Sequence, residues 1–449
     1  SLARMQAFTD DPGLLSGTPA KSAATPTLTD WSAVGVKALA SLTDANATQA
    51  LSSSNVNLSA LNSALDRWAK ADVSKANLQS LSDAYARILG EADGDRTVDV
   101  DVNSASAVLN VDNDPTKTDY GNVLGGSATF DTLMTTLGTS TQTNEVLALL
   151  NDAVGGLSTT AVDTATEVED LIKVSANVMK QAMATPGTNA WSYTTDSEWI
   201  TALSTLGISG LTGMSATNLT KVKDGITAIT AATDIDTWAE LQGIVSLVRI
   251  NDNAANSANS VLNFSDFQAF FTYGDASKTD IANTSVCLNA FRDAVQYKPS
   301  NVFSVAEVVG SMVNGYAAIL AEANGTASDQ QVYDPQASDY LAVGVGSGTG
   351  FDTEICKMLG DSNGNGLLDA GETSSQFANL LTDVVSTKNQ TDVDTVSELN
   401  DLAKIVVKIY ELEKATSTGN TTYTSITNGI LSVSELNALG LNTTVLTDS

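Results

Sequence analysis

The chain has 449 residues, 42% of them hydrophobic and only 16% charged, and its 52 acidic against 22 basic side chains give a formal charge of −30. Such a surface repels nucleic acid and anionic lipid headgroups and favours divalent cations. Histidine is absent, which excludes a Ser-His-Asp triad, a Cys-His pair, imidazole-ligated metal and the usual general base.

No stretch approaches the ~20 apolar residues of a membrane helix, so no membrane insertion is expected. The two cysteines, Cys287 and Cys356, form either one disulfide or two buried thiols packed as small hydrophobes.

In chain order, two local signatures recur. Residues 1–24 are read as the end of a broken repeat, because Ser1-Leu2-Ala3-Arg4-Met5 matches Ser246-Leu247-Val248-Arg249-Ile250 further on. Residues 25–113 form the first repeat and its linker. Thr29-Asp30-Trp31 opens a short helix, Leu58 to Leu65 a middle helix, and Ser74 a long one carrying Leu78, Leu81, Tyr85 and Ile88. Residues 114–193 repeat the plan with Thr118-Asp119-Tyr120 and the capping box Thr164-Ala165-Thr166-Glu167. Residues 194–260 do so with Ser197-Glu198-Trp199, a middle helix at Asn218-Leu219, and the box at Thr237 and Glu240.

Residues 261–333 form the fourth repeat and linker, with Ser265-Asp266-Phe267 and the box Ser304 to Glu307. Residues 334–423 form the fifth, with Ser338-Asp339-Tyr340 and the box Thr395 to Glu398. Residues 424–449 start a further repeat at Ser434-Glu435-Leu436. In each box the hydroxyl caps the amide of the third helical residue and the glutamate returns to the cap residue's own amide. The apolar residues behind each box recur every three to four positions, as in Leu399, Leu402, Ile405, Val406 and Ile409, the period of a helix with one buried face. The expectation is an all-α tandem array of three-helix bundles joined by polar loops, each module burying its own small core. The incomplete end repeats predict either a longer array or subunits that complete each other head to tail.

One motif carries specific chemistry. Residues 361–372 read Asp-Ser-Asn-Gly-Asn-Gly-Leu-Leu-Asp-Ala-Gly-Glu. Oxygen ligands fall at positions 1, 3, 5, 9 and 12, namely Asp361, Asn363, Asn365, Asp369 and Glu372, and Leu367 at position 7 offers its carbonyl. Gly366 stands at position 6, where the loop turns sharply. This is the spacing of an EF-hand calcium loop, and its two neutral asparagines predict weak affinity suited to extracellular calcium.

The Asp-Tyr opening, the Asn-Leu middle and the closing Asp236-Thr237-Trp238-Ala239-Glu240-Leu241-Gln242 resemble the GA-like three-helix repeats of large secreted bacterial surface proteins: adhesins and matrix or S-layer-like proteins. The resemblance implies an extracellular, cell-surface location, a structural or adhesive role and no catalytic residue. The expected function is a calcium-stabilised structural component of a surface layer, filament or matrix that self-associates and is not an enzyme. The alternative is a stalk or ligand-binding region of an adhesin that grips a glycan or host protein, for which Trp191, Tyr193 and Trp199 are the candidate aromatics.

Overall fold

The computed structural model describes residues 1–9, 24–39, 47–92, 94, 114–184, 192–229, 231–255, 262–268, 270, 284–297, 306–323, 334–346, 352–361, 376–417 and 431–439. The fold is all-α. Its first unit, Ser1–Ile244, holds α1 (Leu2–Thr9), α2 (Leu28–Val34), α3 (Leu58–Leu65), α4 (Lys75–Glu91), α5 (Lys117–Val123), α6 (Thr129–Leu137), α7 (Thr143–Gly155), α8 (Ala165–Ala182), α9 (Asp196–Thr205) and α10 (Ala216–Thr227). Helix α11 (Trp238–Ala255) begins there and runs into the second unit, Val245–Ser449. That unit adds α12 (Phe264–Gln268), α13 (Thr284–Tyr297), α14 (Ala306–Glu322), α15 (Ala337–Val343), α16 (Asp352–Leu359), α17 (Gln376–Ser386), α18 (Val396–Ser417) and α19 (Val433–Ala438). Strands β1 (Lys37–Ala38) and β2 (Gln49–Ala50) pair antiparallel, Lys37 opposite Ala50.

The short opening helices share one local circuit. At α2, Thr27 Oγ1 accepts the Asp30 amide at 3.3 Å while Asp30 Oδ2 accepts the Thr27 amide at 3.0 Å. The same reciprocal box starts α5 from Thr116 and Asp119, α9 from Thr195 and Glu198, and α19 from Ser432 and Glu435. In α12 and α15 the acid likewise accepts its cap residue's amide, Asn263 to Asp266 and Gln336 to Asp339, both at 2.7 Å. The acid is therefore the third residue of the helix, and the cap lies three positions before it. The hydroxyl residue directly before the acid sits inside the first turn, as the hydroxyl-acid-aromatic line predicts.

The long helices open as the boxes predict where they are described. Thr164 and Glu167 cap α8, Thr237 and Glu240 cap α11, and Thr395 and Glu398 cap α18. The Ser304 box before α14 lies outside the described residues. Helix α4 keeps only half of the circuit, Ser74 Oγ accepting the Asn77 amide at 3.3 Å.

Helices α9, α10 and α11 follow one another as opening, middle and long helix, and α9 and α10 both pack against α8. In three sets an extra element stands between opening and middle helix: the β1–β2 pair in the first, α6 in the second and α16 in the fifth. The cores of neighbouring sets are not separate, as had been expected of independent modules. In the second unit one continuous apolar cluster runs from Ile250 through Phe291, Tyr316, Tyr340 and Phe377 to Val407. Its helices approach closely: a Cβ on Gly315 of α14 would stand 2.9 Å from the Asp339 carbonyl of α15. Only glycine lets those backbones meet at that distance.

Candidate functional site

The segment read as a calcium loop, residues 361–372, is preceded by a well-defined helix stop. Helix α16 ends at Leu359 and is followed by Gly360, whose φ of 108° requires glycine. The Gly360 amide bonds the Lys357 carbonyl at 3.1 Å and the Asp361 amide the Cys356 carbonyl at 3.0 Å, the paired bonds of a Schellman stop. Asp361, the first predicted ligand, is thereby fixed directly after Gly360, and it is fully buried. The Cys356 thiol bonds the Gly346 carbonyl at 3.0 Å and braces the same turn. Helix α17 leaves at Gln376 and packs against α16, so the motif lies between two contacting helices. Asn363, Asn365, Leu367, Asp369 and Glu372 lie outside the described residues. Among the described residues no cluster of three or more acidic, cysteine or histidine side chains could hold a metal.

Cys287 and Cys356 are both buried thiols, not joined in a disulfide. Burial pushes the Cys287 thiol up to about 11, which makes it a poor nucleophile.

A second recurring arrangement joins one helix set to the next. The opening aromatic is buried and tied to the middle helix: Trp31 Nε1 to Asn62 Oδ1 at 3.1 Å, Tyr120 hydroxyl to Asn151 Oδ1 at 2.8 Å, and Tyr340 hydroxyl with Thr382 Oγ1 at 3.0 Å. The same middle-helix residue returns to the carbonyl just before the opening cap: Asn62 to Pro26, Asn151 to Pro115 and Thr382 to Pro335, at 2.9, 3.1 and 2.9 Å. In the fourth set Arg292 Nε bonds the Leu262 carbonyl at 2.8 Å, and Phe267, lacking a polar atom, needs no partner there.

The next middle-helix residue reaches out of its own set. Ser63 Oγ accepts the Ala165 amide at 3.0 Å, Asp152 Oδ2 the Trp238 amide, and Asp293 Oδ2 the Val396 amide at 2.6 Å. Each donor is the first residue of the following long helix, whose amide has no partner within that helix. A carboxylate there also meets the positive end of the helix dipole. At the same register α10 has Gly225, which offers no side-chain acceptor.

The third link joins the end of a long helix to the next opening acid. Arg4 pairs with Asp30, Arg87 with Asp119 and Arg249 with Asp266, at 2.8, 2.8 and 2.6 Å, and Lys408 pairs with Glu435 at 2.5 Å. Asp30 is held below the usual carboxylate range first by the Thr27 amide and hydroxyl, then by Arg4. Burial alone would raise Glu435, but Lys408 and the Ser432 amide outweigh it and lower the group.

Sequence reasoning found the opening acids but gave them only a local role, and it missed Ser63, Asp152 and Asp293. Their signal is positional: each directly follows the polar residue that binds its own set's opening carbonyl.

Of the aromatics considered for ligand binding, Trp199 is 2% exposed and lies 5.0 Å beneath the Lys223 ammonium. Tyr193 is half-buried, and Trp191 lies outside the described residues. No protein-family model, curated protein or solved structure matches the chain.

Proposed function

We propose that this chain is a structural and assembly protein of an extracellular surface layer, filament or matrix, stabilised by calcium and without enzymatic activity. The observation that carries the reading is the recurring joint, in which Ser63, Asp152 and Asp293 each cap the first amide of the following set's long helix. A chain whose specific polar chemistry serves to connect like element to like element is suited to building an array. The extracellular compartment is inferred from the composition and the calcium loop.

The loop fits a structural calcium site. The Schellman stop of α16 holds Asp361 at its first position, and Glu372 would close it with both carboxylate oxygens. A cation there would tie α16 to α17 inside the fifth set. The neutral Asn363 and Asn365 suit the ~10⁻⁴–10⁻³ M affinities of extracellular modules. The adhesin reading needs an exposed aromatic cluster, and burial of Trp199 works against it.

Negative-stain microscopy with light scattering, with and without millimolar calcium, tests the assembly reading. Ordered filaments or sheets that disperse in chelator are expected. A monodisperse monomer at every concentration in both conditions would overturn it. Separately, ~10 mM calcium should raise the unfolding free energy by about 1.4 kcal/mol if the dissociation constant is about 1 mM, and Glu372→Gln should abolish the gain. A calcium response unchanged by Glu372→Gln would place the cation elsewhere.

A further inference from the structure

Ser63, Asp152, Asp293 and Asp383 occupy one register position. Each follows the middle-helix residue that bonds the carbonyl before its own opening helix: Asn62, Asn151, Arg292 and Thr382. The first three accept the leading amide of the following long helix and are partly shielded there. Asp383, on α17, is exposed.

The complementary half lies on α4. The leading amides of α8, α11 and α18 are covered by the preceding set. The corresponding residue of α4 is Lys75, exposed and cationic, behind the Ser74 cap. Among the described residues an exposed carboxylate therefore stands at this register on α17 and an exposed helix start on α4, and Lys75 bears the charge that Asp383 attracts.

We infer that the face of α17 at Asp383 docks the N-terminus of α4 of a second copy, with Asp383 Oδ accepting the Lys75 amide as Asp293 accepts that of Val396. The inference rests on the assembly reading above and names its joint. The contact is heterologous, so it repeats from copy to copy and builds a chain. Docking in the internal register also exchanges the opening pairs. Lys408 meets Asp30 of the incoming copy, and Arg4 of that copy meets Glu435. Each pair broken within a chain is replaced by one of the same kind between chains, the balance that makes element exchange a low-cost route to assembly. Helix α19 has no fully buried residue and is held by Leu439 packing at its end and by polar contacts from Lys388 and Lys408.

Sedimentation velocity of the full chain over a concentration series tests the joint with two variants. Asp383→Ala removes the acceptor. Lys75→Pro removes the donor amide and leaves α4 intact, because proline is favoured at the first helical position. Ser74 already has the extended backbone that precedes proline, at φ −127° and ψ 165°. Both variants should melt like the parent and associate at least tenfold more weakly, with Asp383→Asn between. A mixture of the two keeps one intact joint per pair and should stop at dimers. Parent-like association of both variants would overturn this joint and leave the assembly reading standing. A parent chain that stays monomeric throughout would overturn the assembly reading, and the joint with it.

Discussion

Asp293 Oδ2 accepts the Val396 amide at 2.6 Å across 103 residues of sequence. The bond satisfies an amide that α18 cannot use itself and sets a carboxylate against the helix dipole. Asp293→Ala should therefore lower the unfolding free energy by about 1–2 kcal/mol, the range of a lost helix cap. Asp383→Ala, at the same register but exposed, should change it by less than ~0.5 kcal/mol. Urea denaturation of the two compares them directly, and equal losses would refute the cap role of Asp293.

Arg249 and Arg4 make the same link in different surroundings. Arg249 forms two bonds to Asp266, Nε to Oδ1 at 2.6 Å and Nη2 to Oδ2 at 3.1 Å. Its side chain is 11% exposed and that of Asp266 1%, whereas the Arg4 side chain is 49% exposed. Arg249→Ala leaves a buried carboxylate without its counter-charge and should cost about 3–5 kcal/mol. Arg4→Ala should cost less than ~1 kcal/mol, because solvent screens the pair. Denaturant midpoints that fall alike would contradict this ranking.

Two buried tyrosines should respond in opposite directions to loss of the hydroxyl. Tyr120 donates to Asn151 at 2.8 Å, so Tyr120→Phe strips a buried acceptor of that bond and should cost about 1–3 kcal/mol. The Tyr85 hydroxyl is buried with no hydrogen-bond partner. Tyr85→Phe removes a desolvated polar atom and should be neutral or stabilising by up to ~1 kcal/mol. Thermal melts of the two variants decide it, and a destabilised Tyr85→Phe would reveal a bond to that hydroxyl.

The acids beside the long-helix boxes set a pH dependence. Burial and the adjacent Glu398 carboxylate raise Asp394 above the ordinary aspartate value. The folded chain then binds that proton more tightly than the unfolded chain. The contribution favours folding at low pH and is lost as pH rises through the raised value. Glu198 runs the other way: the Thr195 and Thr194 amides lower it, so its contribution is present above the unfolded glutamate value of about 4.3 and lost as pH falls. Asp394→Asn should raise the melting temperature at pH 7, with the gain closing below about pH 4. A gain of the same size at pH 3.5 would rule out repulsion as its source.

The helices and their caps were legible in the sequence because the circuits are local. A Thr-x-x-Glu box closes within four residues, and the apolar period that follows marks the buried face. Thr164, Thr237 and Thr395 begin helices where that pattern puts them, and the opening aromatics Trp31, Tyr120, Trp199 and Tyr340 are buried anchors. The spacing of oxygen ligands over residues 361–372 is equally local, and of those residues Asp361, held just past the turn at Gly360, is the one among the described residues.

Partners distant in sequence carry no such signature. Nothing beside Asp152 announces that its carboxylate caps a helix 86 residues on, or beside Arg87 that its guanidinium holds Asp119. The extra helices α6 and α16 blurred the module boundaries for the same reason. Their apolar faces are completed by neighbouring helices, and a short amphipathic segment does not state what it will pack against. Local hydrogen bonding wrote the beginnings of the helices into the chain. The joining of successive sets through one capping contact, and the merging of cores across them, depended on which surfaces burial brought together in space.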